Sequence, residues 1–541
     1  MRSIIQAAVS FSTFLFITLP NPVLASEQAR FDAQTTEQQI VSALSTFYTP
    51  GMAVGVVHKN DIVFLNGFGQ SFINAEHVNK VPLLPNAQLL KNQSVRPGTY
   101  FRLASTSKAF TAAALAVLVD QKKLNWKDKV IDHLPEFQMQ DPWVSREFTI
   151  EDLLTHRSGL VSGAGDSMIW PEPSGFSRQE VIHRLKHLTP DYSFRSAYSY
   201  SNVLYITVGE LIARVSGESY ASFLQKHIFA PLNMSCYAGD VPKSALAKTA
   251  LPYAHNDARG LYLIPRNAIG PKAQMSVAAG GIVCNAESMT KWIQALLAPS
   301  TLPFSEAQLQ AMWTPRTIMR VSNTEQEWDG THFKSYGYGW RMSNLQHYKV
   351  LSHTGTLSGF QAFVSLIPEL ELGVVILNNG SNYGARSSVM QHILKSFLPT
   401  QDSTHSEVND WVQTYSDYQA EQESQYLANK LPDPTPTKPM LINDSDVLGI
   451  YQDAWFGQMI IEAIDGKLRI SSQRMSTLKG TLSPFEGNKY KVTWDNQNAA
   501  SNAFLLFELN LANEVSGMKM HPFTSRERKR HAYRDMHFVK Q

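Results

Sequence analysis

Eight residues in the last fifth of the chain, Pro432-Asp433-Pro434-Thr435-Pro436-Thr437-Lys438-Pro439, can neither continue a helix nor join the interior of a sheet. Proline locks its own φ and has no N–H, so a run this dense reads as an extended spacer. Residues 401–440 as a whole are rich in Gln, Ser, Asp and Glu and are expected to form a polar linker, with a helical option open for their first part. Length asks for such a division, because 541 residues exceed what one hydrophobic core usually serves. With 43% hydrophobic and 17% charged residues, the flanking parts are expected to be globular.

Residues 26–400 alternate helical and strand-like stretches. Met52–Val57 and Ile62–Leu65, separated by His58-Lys59-Asn60-Asp61, read as a hairpin, and so do Phe360–Val364 and Leu372–Leu377 around Pro368-Glu369-Leu370-Glu371. Strands at both ends with helices between them predict an α+β fold whose terminal strands pair into one antiparallel sheet. Residues 441–541 carry only short strand signals, such as Lys467–Ser471 and Phe504–Leu509, broken by turns such as Asp465-Gly466. That pattern predicts a small all-β domain, a meander or half-barrel.

Met1-Arg2-Ser3, an apolar stretch from Ile4 to Leu19 and Val23-Leu24-Ala25 have the layout of a signal peptide cut after Ala25. A retained anchor is the competing reading, although the apolar run is slightly short for a span. No later segment is apolar for long enough to cross a membrane, so an exported protein, periplasmic or secreted and without a stable membrane span after cleavage, is expected. A net charge of +2 argues against a nucleic-acid partner, and the basic run Arg526–His531 reads as a solvated strand end or loop. Cys236 and Cys284 are read as buried free thiols, with a bridge as the alternative that an oxidising compartment permits. No Cys/His cluster has metal spacing, and His183 with His187 lacks the adjacent Glu of a zinc helix, so neither metal nor cofactor is expected.

Three short elements carry chemistry. Ser105-Thr106-Ser107-Lys108 opens a long apolar helix reaching about Gln121, so the Ser105 hydroxyl and the Lys108 ammonium share one face near free backbone N–H groups. A serine hydroxyl becomes a nucleophile when a neighbour takes its proton, and lysine can do so. Tyr198-Ser199-Tyr200-Ser201-Asn202 precedes a second apolar helix; the Tyr200 phenol can act as base if cations hold it as phenolate, and Asn202 can orient Lys108 and a substrate carbonyl. His353-Thr354-Gly355-Thr356 lies on a strand where glycine permits a substrate backbone to approach and pair. The backbone N–H groups of Ser105 and Thr356 are then candidates for an oxyanion hole.

Together the three elements resemble the serine β-lactamase and penicillin-binding-protein superfamily, whose signature is S-x-x-K, a polar second triad and K-T-G. The Tyr-x-Asn form resembles its class C branch, shared with D-aminopeptidases, D,D-carboxypeptidases and esterases. Leu153–Leu160, Ala279–Val283 and Tyr336–Trp340 also look like that family, and the tail resembles the lipocalin-like domain of some members. The resemblance implies an enzyme with catalytic Ser105, Lys108 and Tyr200, substrate-binding Asn202, His353, Thr354 and Gly355, and a small-molecule or short-peptide substrate. One departure is that β-lactamases usually carry Lys where this chain has His353, as D-aminopeptidase and esterase-like members do. A mostly neutral imidazole anchors a carboxylate poorly, so an amide or ester of a D-amino-acid or small peptide is expected ahead of a β-lactam. A D,D-carboxypeptidase and a penicillin-binding sensor without turnover are the alternatives. The tail is expected either to dock over the cleft or to serve stability or oligomerisation away from it.

Overall fold

The computed structural model describes residues 31–73, 93–264, 275–398, 410–430, 432–496, 502–523 and 533–541. The leader-like N-terminus and the basic run Arg526–His531 lie outside them.

The largest sheet has eight antiparallel strands. In spatial order they are Asp61–Gly69, Gly51–His58, Leu372–Asn378, Phe360–Ile367, Tyr348–Leu357, Arg341–Leu345, Lys334–Tyr336 and Thr317–Ile318. The N-terminal hairpin thus pairs with the last strand, Met52 opposite Asn378 and Val56 opposite Val374, as the strand pattern predicts. Both central strands are buried on both faces, and alternation sorts their side chains between two cores. Val54, Val56, Val374 and Ile376 meet Ile40 of helix Ala33–Thr46 and Val389 and Ile393 of helix Tyr383–Ser396. Ala53, Val57, Val375 and Leu377 face Trp292 and Ile293 of helix Ala286–Leu297. Burying one such aliphatic side chain is worth about 1.5–3 kcal/mol, which sets the register against a one-residue slip.

The linker region contains a 19-residue helix, Trp411–Asn429, before the proline run. It is docked: Gln419 and Asn382 exchange amide hydrogen bonds at 3.0 and 3.1 Å, and Lys395 lies over the Trp411 ring. From Gly449 to Lys540 eight strands follow one another round a closed barrel, the first (Gly449–Asp453) pairing with the last (Phe538–Lys540). The meander is therefore complete rather than half-open. Among the described residues, no helix is long and apolar enough to cross a membrane.

The two cysteines are joined, against the free-thiol expectation. Strand Tyr237–Ala238 pairs with Ile282–Cys284, Tyr237 opposite Val283, and that register sets Cys236 against Cys284. The sequence does not display this register. The bridge spans 48 residues, and a loop of that size implies about 2–4 kcal/mol of stabilisation. Replacing both cysteines by alanine is expected to lower Tm by several degrees while turnover stays within about twofold, because neither sulfur lines the cleft. An unchanged Tm would show that the bridge contributes nothing.

Candidate active site

Ser105 sits in a tight turn of 3₁₀ type, Ala104–Thr106, and the α-helix proper begins two residues later at Ser107 and ends at Asp120. The turn is tighter than the continuous helix expected because Ala104 is left-handed, φ 49°, a conformation that costs an L-residue energy and is held by its surroundings. Gly355 lies directly against it: a Cβ there would fall 2.2 Å from the Leu103 carbonyl oxygen and 3.0 Å from the Ala104 Cβ. The missing side chain at Gly355 therefore lets the strand and the nucleophile turn close on one another.

Lys108, one turn along, is fully buried. Its Nζ lies 3.3 Å from Ser105 Oγ, 2.8 Å from Asn202 Oδ1 and 2.7 Å from the Ala279 carbonyl oxygen. Burial pulls the amine well below the ordinary lysine range; the charge of Asp166 opposes this and that of Arg341 adds to it. A neutral amine has two N–H bonds and one lone pair. With the N–H bonds given to Asn202 and Ala279, the lone pair is left for the Ser105 hydroxyl.

Tyr200 is set by the Leu153–Leu160 segment. His156 Nδ1 accepts from the Ser201 N–H at 3.1 Å, the His156 carbonyl accepts from the Ser199 N–H at 2.7 Å, and the Tyr200 carbonyl accepts from the Gly163 N–H at 3.0 Å. Burial holds the His156 imidazole neutral, well below the usual histidine range, as an acceptor must be. Asp152, buried and paired with Arg157 and Arg195, anchors the same segment. The Tyr200 ring centroid is 4.7 Å from Lys108 Nζ, and its buried hydroxyl has Ser105 among its electrostatic neighbours but no hydrogen-bond partner among the described residues. Burial pushes the phenol upward by more than Arg341 draws it down, so the geometry favours a protonated phenol over the phenolate considered above.

His353 is buried behind the cleft and does not line it. Its Nδ1 donates to the Thr354 carbonyl oxygen at 2.8 Å, which leaves Nε2 to accept from the Tyr336 hydroxyl at 2.9 Å. The expectation that His353 is a substrate-binding residue thus finds no support in its placement: side chains alternate along the strand, and Thr354 is the one that faces the cleft. The cation there is Arg341, from the neighbouring strand. Arg341 pairs opposite Ser352 in register, and its guanidinium reaches diagonally to donate to Thr354 Oγ1 at 2.8 Å. Its electrostatic neighbours include Tyr198, Tyr200 and Tyr336, and among the described residues no carboxylate forms an ion pair with it.

The cleft is a cavity of about 580 Å³ whose walls include Ser105, Tyr200, Asn202, Thr354 and Thr356, the residues singled out by sequence, together with Gly280 of the glycine turn. Lys108 lies behind this wall and Gly355 beneath the nucleophile turn. Sequence reasoning missed Asp166, Trp170, Glu172 and Arg341, which also line it, and Asn496, which the barrel contributes. Glu172 is held by a two-pronged contact with buried Arg102, Nη2 to Oε1 at 3.0 Å, and by Ser276. The same loop is gripped from the barrel: the Gly175 N–H donates to the Arg474 carbonyl oxygen at 2.8 Å, and Arg474 pairs with Glu180 at 2.9 Å. Catalytic-side and barrel residues belong to one continuous hydrophobic cluster.

Residues 38–393 match the Beta-lactamase family, and residues 435–538 match a domain of unknown function, DUF3471. The protein belongs to the Beta-lactamase family and is a hydrolase of the β-lactamase fold. Unguisins hydrolase ungD of Aspergillus violaceofuscus is 26% identical over 495 residues, covering 84% of this chain and 82% of its own. Protein flp of Staphylococcus aureus is 26% identical over 61% of this chain and 60% of its own. Among solved structures, the octameric penicillin-binding protein homologue from Pyrococcus abyssi superposes with a TM-score of 0.58 at 18% identity, covering 94% of this chain and all of that one. The D-amino acid amidase from Ochrobactrum anthropi SV3 gives 0.52 at 19% identity, covering 71% of this chain and 99% of its own. These two superpositions are likenesses of fold.

Proposed function

We infer that the protein is an acyl-transfer hydrolase in which Ser105 attacks the amide or ester carbonyl of a small, peptide-like substrate. The observation that carries this reading is the position of Lys108, buried, low in basicity and turned toward Ser105 by two hydrogen bonds. The Ser105 proton passes to Lys108 Nζ as the Oγ–C bond forms. The backbone N–H groups of Ser105 and Thr356 receive the oxyanion. The departing amine or alkoxide takes a proton from Lys108 through the Tyr200 hydroxyl, and water then hydrolyses the acyl-enzyme. Positioned proton transfer of this kind contributes about 10²–10⁴-fold.

Arg341 adds a second feature. A guanidinium in the cleft wall without a carboxylate partner among the described residues suits a substrate acid group next to the scissile bond. A peptide whose C-terminal carboxylate adjoins the scissile bond suits this cation, and Arg341 gives a D,D-carboxypeptidase or β-lactamase activity the cation that His353 lacks. The bonded cysteines suit an exported, oxidising location. The testing experiment is a screen of purified protein against D- and L-amino-acid amides, short peptides, esters and a cephalosporin, with Ser105→Ala alongside. Sustained turnover of one class, lost in the variant, supports the hydrolase; a single burst without turnover identifies a sensor.

The barrel's place beside the cleft makes it a wall for substrate selection. Asn496→Trp is expected to lower kcat/KM for bulky substrates by about tenfold while a small ester changes by less than about twofold. Equal effects on both would leave the barrel a scaffold.

A further inference from the structure

Among the described residues two carboxylates line the cleft, Asp166 and Glu172. Arg102 neutralises Glu172. Asp166, at the start of the short turn Asp166–Met168, forms no ion pair among the described residues; its Oδ2 accepts from Asn202 Nδ2 at 3.0 Å, and its buried Oδ1 has no hydrogen-bond partner there. On its other side Asn202 presents Oδ1 to Lys108 Nζ at 2.8 Å. A side-chain amide can sit either way round. The reversed orientation would set oxygen against the Asp166 carboxylate and N–H against the N–H bonds of Lys108, so the carboxylate selects the observed one.

We propose that Asp166 is the positioning residue of the Ser105–Lys108 pair, holding Asn202 in the orientation that fixes Lys108 and coupling the site to pH. This rests on Lys108 being the proton acceptor. The titratable groups facing Asp166 are Lys108 from helix Ser107–Asp120 and Tyr200 from the segment before helix Asn202–Ser216. Burial raises the Asp166 carboxyl to about 7, against the lowering effects of the Asn202 hydrogen bond and of Lys108. Above about 7 the ionised carboxylate pins the amide and favours a proton on Lys108. Below that pH the neutral acid can itself donate to the Asn202 oxygen, and the orientation ceases to be unique. Removing the charge therefore has two effects: Lys108 loses its proton at lower pH, and Asn202 loses its fixed direction.

The test follows Ser105 phosphonylation by a fluorophosphonate, in which an Oγ–P bond forms and fluoride leaves, from about pH 5 to about pH 9, by mass spectrometry, in the full-length protein, Asp166→Asn and Asp166→Ser. Asp166→Asn keeps the shape of the side chain, and Asp166→Ser is a smaller uncharged replacement should the first fail to fold. In both, the acid limb is expected to move down by about one pH unit or more, and the plateau rate to fall about fivefold or more. An acid limb that stays in place, or an undiminished plateau, overturns the inference while label on Ser105 keeps the nucleophile assignment. Absence of label from Ser105 in the unaltered protein would instead remove that assignment, and this inference with it.

Discussion

Ser105→Ala and Lys108→Met are each expected to lower kcat/KM by about 10³-fold or more, and the double variant to lose little beyond either single one. The reason is geometric. Ser105 Oγ and Lys108 Nζ are 3.3 Å apart, and the other two directions around the amine are occupied by Asn202 and Ala279, so it has one proton-accepting task. Methionine replaces Lys108 because the side chain is fully buried, and alanine would add a cavity to the loss of the amine. Circular dichroism should show an unchanged fold for Ser105→Ala, since the hydroxyl faces the cleft. Additive losses would mean that the two residues act in separate steps.

Arg341→Met is expected to lower kcat/KM by about 10- to 100-fold for substrates with a carboxylate beside the scissile bond and to leave neutral esters within about threefold. A hydrogen bond to a charged group is worth about 1.5–3 kcal/mol, which sets that range. Thr354, the residue Arg341 contacts at 2.8 Å, shares the effect, so Thr354→Val should move in the same direction by a smaller amount. The same comparison in His353→Asn should leave the carboxylate preference intact, because His353 is tied to Tyr336 and the Thr354 carbonyl behind the cleft. Loss of preference in His353→Asn with none in Arg341→Met would return substrate recognition to the histidine.

The parts of this site that were legible in the sequence are those set by local spacing. Ser105 and Lys108 are one helical turn apart and Thr354 and Thr356 alternate on a strand, so each of these pairs declares a shared face, while Tyr200 and Asn202 are marked by leading into a helix. The parts that were not legible depend on partners brought from far along the chain. Arg341 reaches Thr354 through a cross-strand register, the Cys236–Cys284 bridge through another, and Asp166 is a lone acid in a loop until Asn202 is placed beside it. Polar composition in residues 401–440 leaves the Trp411–Asn429 helix no more than an option in the sequence, because its contacts are mostly amide and aromatic rather than aliphatic. Charged neighbours alone leave the Tyr200 phenol open to ionisation, and burial, which a sequence does not display, outweighs them.

The central claim is that substrate becomes covalently attached to Ser105 before water releases it. Intact-mass measurement of the full-length protein, quenched within milliseconds to seconds of mixing with its best substrate, tests this directly, followed by peptide mapping of the adduct. A transient mass increase equal to the acyl group, mapped to Ser105, absent from Ser105→Ala and accumulating when deacylation is slowed, is the result expected. Turnover with no adduct at any quench time, an adduct on another residue, or normal activity in Ser105→Ala would contradict it.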